Sequence, residues 1–188
     1  MKKEIGLLIG FLILSACTTR KEIVSTKSEC SVSIVPPEDL ASNYKAFYSS
    51  SYFNINQFAD FDKIKNGILM CRWNEGFKDS TFLIVDFDKE FNTVKKTKNS
   101  TEAVILSLEE KKSLKNILEI LKKESYYQNC VRDHGHASLY ILEIRHNNEK
   151  IVQYYSPMSH PYEVVTSNAN IKLVQDILGI MDRGYYRK

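Results

Sequence analysis

Glycine and proline are scarce in this chain of 188 residues, at seven and four, and there is a single tryptophan. The few glycines never gather into G-x-G-x-x-G or G-x-x-x-x-G-K, so no phosphate-cradling loop is encoded and no cofactor is expected. There is no G-x-S-x-G elbow and no S-x-x-K with its companion motifs, which leaves serine hydrolase chemistry without support. An excess of one charge is missing too: 26 Lys and Arg stand against 23 Asp and Glu, a net charge of +3. That balance sets up no strong field, and no nucleic acid partner is expected. Repeats, low-complexity tracts and interdomain linkers are also lacking, so one domain is the economical expectation.

What the chain does have is a marked start. Lys2, Lys3 and Glu4 precede ten uncharged, mostly aliphatic residues, Ile5 to Leu14. The run is too short to span a bilayer as a permanent helix and matches the apolar part of a secretory signal. Leu14, Ser15, Ala16 and Cys17 follow: an aliphatic residue, two small residues that fit a signal peptidase, and a cysteine.

These four positions, with the run before them, resemble the lipobox of bacterial lipoprotein precursors. The resemblance implies removal of residues 1–16, a diacylglycerol thioether on Cys17 as the lipid-attachment residue, and acylation of the freed amine. Two or three acyl chains anchor firmly, because each buried methylene contributes about 0.8 kcal/mol. It also implies a place on the cell membrane or outer membrane, on the periplasmic side or at the cell surface. Thr18, where inner-membrane lipoproteins tend to carry Asp, favours the outer membrane in a host that has one. Residues 17–29 are then a lipidated N-terminus and polar tether, and residues 30–188 the folded domain.

With Cys17 committed to lipid, Cys30, Cys71 and Cys130 remain in a compartment where disulfides persist. Three thiols make at most one internal bridge. Cys71 with Cys130 is the expected pair, since both fall inside the predicted folded region and Cys30 lies at its entrance.

The folded region reads as α+β: an antiparallel sheet with two or three helices packed on one face. Pro36-Pro37-Glu38-Asp39 offers a helix start, and a short helix is expected over 38–49. Residues 51–66 have aromatics without a clean period and read as irregular chain. Strands are expected at Gly67–Trp73, Thr81–Phe87, Asn92–Lys98 and Ala103–Leu106. Ser107 and Glu110 have the spacing of a capping box, ahead of a helix with Leu114, Ile117, Leu118 and Leu121 on one stripe. After a loop containing Cys130, residues 137–146 and 150–156 form a hairpin, and 163–166 a last edge strand. Ile171, Val174, Ile177, Leu178 and Met181 then share a helical face, with Gly184 placed to end that helix.

The strongest chemical constellation is Asp133-His134-Gly135-His136, close to Cys130. Two histidines two residues apart share a side in extended chain, and with a carboxylate or thiolate they are a weak candidate zinc set. A polar loop ahead of a strand is the plainer reading. Cys130 with His134 is a weaker nucleophile–base pair, and His146 and His160 have no motif tying them to these residues. Asp86 and Asp88 are paired carboxylates that also read as the solvated end of a strand. The pairs Tyr126-Tyr127, Tyr154-Tyr155 and Tyr185-Tyr186 serve as sheet stabilisers or, where exposed, as interface anchors. With no catalytic residues evident, the expected function is a non-enzymatic protein-binding module of the cell envelope, of which an immunity or inhibitor protein is one form. Its partners would be the membrane, through the lipid, and an envelope or periplasmic protein. The alternatives are a metal-dependent envelope hydrolase built on Asp133, His134 and His136, and a structural envelope component.

Overall fold

The computed structural model describes residues 21–24, 30–37, 40, 56–74, 80–130, 138–157 and 164–187. The fold is α+β in a single domain. Among the described residues nine strands form one sheet: β1 (Lys21–Val24), β2 (Cys30–Ile34), β3 (Gly67–Asn74), β4 (Thr81–Asp86), β5 (Asn92–Lys96), β6 (Thr101–Val104), β7 (Glu124–Cys130), β8 (Ser138–His146) and β9 (Glu149–Ser156). Their order across the sheet is β1-β2-β7-β9-β8-β3-β4-β5-β6. Every pairing is antiparallel except β7 with β9, which is parallel. The described α-helical spans are α1 (Asn56–Phe61), α2 (Leu108–Ile120) and α3 (Ala169–Tyr186), with one turn of 3-10 helix at Phe87–Lys89. No described helix is long and apolar enough to cross a membrane.

The two longer helices share one face of the sheet. There Ile68, Met70, Leu83, Val85, Leu142 and Ile144 pack beneath Leu114 and Ile117 of α2 and Val174, Ile177 and Leu178 of α3. α1 lies on the opposite face, where Phe58 and Phe61 pack with Leu40, Leu69, Phe82, Ile84 and Ile141. Because both faces are covered, adjacent strand residues can both be buried: Tyr154 lies under the long helices and Tyr155 on the α1 side.

The local signals behind several elements hold. α2 starts on the capping box, with the Ser107 hydroxyl accepting from the Glu110 N–H and the Glu110 carboxylate accepting from the Ser107 N–H, so two otherwise orphan donors are satisfied. The β8–β9 hairpin turns at Asn147 and Asn148, with φ of 50° and 68°, the left-handed pair that a two-residue turn requires and asparagine tolerates.

Other elements differ from expectation. Part of the expected tether, Lys21–Val24, is an edge strand paired with β2. Asn56–Phe61, within the stretch expected to be irregular, is helical because Phe58 and Phe61 sit three apart and share its buried side. The loop expected to contain Cys130 is instead, up to that residue, β7, placed between β2 and β9. Residues 164–168 are not a strand, although Val164 and Thr166 are buried. α3 runs past Gly184 to Tyr186, and the glycine serves packing instead: a Cβ there would lie 3.0 Å from Leu83 Cδ2. The helix expected at 38–49 falls on residues of which only Leu40, fully buried, is described.

The disulfide is a correction. Cys130 bonds Cys30, its register partner across β2 and β7, and not Cys71. Cys71 sits on β3, with β9 and β8 between it and β7. Three strand spacings are about 14 Å, beyond the roughly 7 Å that a disulfide bridges. Cys71 is a free, fully buried thiol, and burial pushes its pKa up, so it is inert rather than nucleophilic.

Candidate functional site

At the end of the sheet where β3 begins and β4 and β8 finish, the described surface opens into a cleft of about 710 Å³. Phe87 and Phe91 from the β4–β5 connection, Leu118 and Leu121 from the end of α2, and Ile151 from β9 form its apolar walls. Asn66, Asp88, Lys115, Glu119, Lys123 and His146 stand around them. A second hollow of about 410 Å³, bounded by Ile34, Val35, Pro36 and Pro37, shares Lys123 and Ile151 with the first. The two hollows lie side by side along the strand ends and are together called the groove.

Three loops meet here, and Asn66 joins them. Its Nδ2 donates to Asp88 Oδ1 at 2.8 Å and its Oδ1 accepts from the Asn147 N–H at 2.7 Å, while its carbonyl accepts from the Phe87 N–H at 3.0 Å. One amide thereby fixes the 87–91 connection against the β8–β9 turn. Gly67 beside it lets β3 start against β4, since a Cβ would lie 2.6 Å from the Val85 carbonyl oxygen. Glu90 and Phe91 both have positive φ, 55° and 61°, a region that a bulky side chain avoids and that costs about 1–3 kcal/mol where it occurs. The reversal brings the Phe91 ring to 5.1 Å from that of Phe87. The opposite wall is held by Asn170 of α3, which accepts from the Lys122 N–H at 2.8 Å and donates to the Lys122 carbonyl at 3.1 Å. Lys123 donates to Glu149 at 2.9 Å, which holds the Glu149 carboxyl below its ordinary range.

The carboxylates and histidines singled out from sequence are dispersed. Asp86 ends β4 and takes the N-cap of a one-turn 3-10 helix, Phe87–Lys89, accepting from the Asp88 N–H and pairing with Lys89 at 3.0 Å. Asp88 belongs to that turn and reaches the cleft, so the two do not share a strand face. His146 stands at the rim. Cys130 is oxidised and presents no thiolate to pair with His134. Asp133, His134, His136 and His160 lie outside the described residues, as does Cys17; among the described residues no group of three potential ligands could hold a metal ion. Of the tyrosines, Tyr126, Tyr154 and Tyr155 are buried, and Tyr186 is exposed and accepts from Arg72 at 2.7 Å. Asn66, Phe91, Leu118 and Leu121 were not legible as a site, because a wall assembled from segments far apart in the chain has no spacing in sequence.

Compared with known proteins, the chain matches no family model, no curated protein and no solved structure. The cleft therefore carries the functional reading. Its volume falls in the range of ligand pockets, and apolar walls with a few fixed polar groups are the usual make-up of such sites. Asp88 and Lys123 are spent on internal bonds, which shapes the cleft rather than arming it.

Proposed function

We propose that this chain is a lipoprotein anchored through Cys17 and acts as a non-enzymatic protein-binding module of the bacterial envelope, with the groove as the seat of its partner. The observation that carries the reading is the preformed apolar cleft, held open by the Asn66 bonds and by the left-handed Glu90-Phe91 turn. Rigid walls reduce the ordering cost of association, and the aromatic pair Phe87 and Phe91 offers the kind of contact on which interface energy concentrates. An immunity or inhibitor role is one form of this function.

The test is affinity purification of tagged, lipidated protein from its own envelope, beside the Leu118→Glu and Cys17→Ala variants. Leu118 is only partly buried, so a charge there alters the groove without entering the core. A protein recovered in near-equal amount with the parent and lost with Leu118→Glu at unchanged thermal stability is the expected result, and Cys17→Ala should leave the membrane fraction. A partner retained equally by Leu118→Glu would move the docking site elsewhere. A partnerless preparation would overturn the binding function.

A further inference from the structure

Strand pairing shows which end of the molecule the anchor reaches. β1 begins at Lys21, four residues after Cys17, and Lys21 is the register partner of Ile34. Ile34, Val35 and Pro36 bound the smaller hollow of the groove. Four residues extend at most about 14 Å, at roughly 3.5 Å each. The other end of the sheet, where Cys30 faces Cys130, is separated from the groove end by the length of β7, seven residues, or about 20 Å at 3.3 Å per residue. The covalent reach of the anchor thus favours one end.

We propose that the chain stands on its membrane with the groove end toward the bilayer, and that the groove receives an apolar-rich segment of a membrane protein where that segment leaves the same bilayer. This rests on the lipoprotein and protein-binding reading above. A soluble partner approaching from the aqueous side would meet the disulfide end first. Anionic lipid headgroups are a poor fit, because the charged residues around the two hollows balance: Lys115, Lys123 and Lys150 stand against Asp88, Glu119 and Glu124. Such a rim sets up little net field, and selection falls to the apolar walls, which match the composition of a segment emerging from lipid.

Two measurements on the full lipidated chain test this. In vesicles of phosphatidylethanolamine and phosphatidylglycerol that contain a quencher-labelled lipid, a fluorescent unnatural residue is placed at Lys122, two residues before β7, or at Asn129, near the far end of that strand, both exposed. Quenching at least about twofold stronger at 122 is expected from the separation; equal quenching, or stronger quenching at 129, overturns the orientation. In living cells a photo-crosslinker at Leu118 should capture an integral membrane protein. The yield should fall severalfold when a Gly/Ser insertion of about 20 residues, spanning roughly 25 Å, is placed between Arg20 and Lys21. A soluble secreted protein in the adduct overturns this proposal while leaving the binding function standing. A yield indifferent to the insertion overturns it as well, and an adduct with lipid alone overturns both.

Discussion

Along β8 the side chains alternate between two surroundings. Tyr140, Leu142 and Ile144 enter the core roofed by α2 and α3, whereas Leu139 and Ile141 enter the smaller cluster beneath α1. The long-helix face is where distant parts of the chain are locked together: the Cys30–Cys130 bond, Asn170 on the α2–β7 connection, and Glu110 on the end of α3. The α1 face carries the most deeply buried charge of the described residues. Glu143 is 1 % exposed, with Lys150 Nζ 3.0 Å from its carboxylate, and Arg145 donates to Asp62, to the Ile64 carbonyl and to the Asn148 carbonyl. Both faces must offset the desolvation of buried charge, Glu110 and Asp182 on one and Glu143 on the other, but the long-helix face adds a covalent cross-link to its satisfied caps.

Breaking the strongest lock should give the largest effect. The disulfide closes a sequence separation of 100 residues, for which chain entropy predicts about 4–5 kcal/mol. Replacing Cys30 and Cys130 together with serine should lower the melting temperature steeply and release protection at Val32 in hydrogen exchange. Cys71→Ala, on the opposite face, should cost about 1 kcal/mol, as an ordinary core truncation does. Thiol titration in denaturant without reductant gives a second check, since among these three cysteines Cys71 alone should react. Reaction at Cys30 or Cys130 would refute the pairing.

The same contrast shows what could be read from the residues beforehand. The α2 capping box, the β8–β9 hairpin and the central strands were legible, because each rests on a local rule: a cap spacing, two β-rich runs a short turn apart, a run of β-branched residues. β7 was not, since Glu124-Ser-Tyr-Tyr-Gln-Asn-Cys130 is mostly polar and becomes a strand through its neighbours on both sides, β2 and β9. The disulfide was misread for the same reason: strand order is a long-range property, and chain position cannot tell that β9 and β8 lie between Cys130 and Cys71. The groove depends on the same long-range order, with Asn66 meeting Asn147 across 81 residues.

The next lock down is Glu110. Burial alone would raise its pKa, but the Arg187 guanidinium, the Ser107 N–H and Arg183 outweigh burial and hold the carboxyl down to about 2. With the folded-state pKa depressed, the associated stability is present above the ordinary carboxylate range and is lost as pH falls from there through about 2. Both arginines are partly exposed, so the ion pairs are discounted for solvent screening, and Glu110→Gln should cost about 1–2 kcal/mol at pH 7. Melting curves of parent and variant should converge as pH approaches 2. A gap that persists unchanged at that pH would show that the ion pairs contribute nothing.

Glu143 on the other face should respond with the opposite sign. Burial raises its pKa, and Lys150 lowers it only in part. A carboxyl with a raised folded-state pKa contributes stability that is present below the ordinary range and lost as pH rises through the raised value. Glu143→Gln removes the charge and keeps the shape. Lys150 remains partly exposed and keeps Asp62 at 3.4 Å, so no buried cation is stranded. The variant should match the parent in acid and equal or exceed it at pH 8 by less than about 1 kcal/mol, as replacement of buried ion pairs commonly does. A loss of about 2 kcal/mol or more at pH 8 would mean that the Lys150 contact more than offsets desolvation, and the α1 face would then be a second locked face.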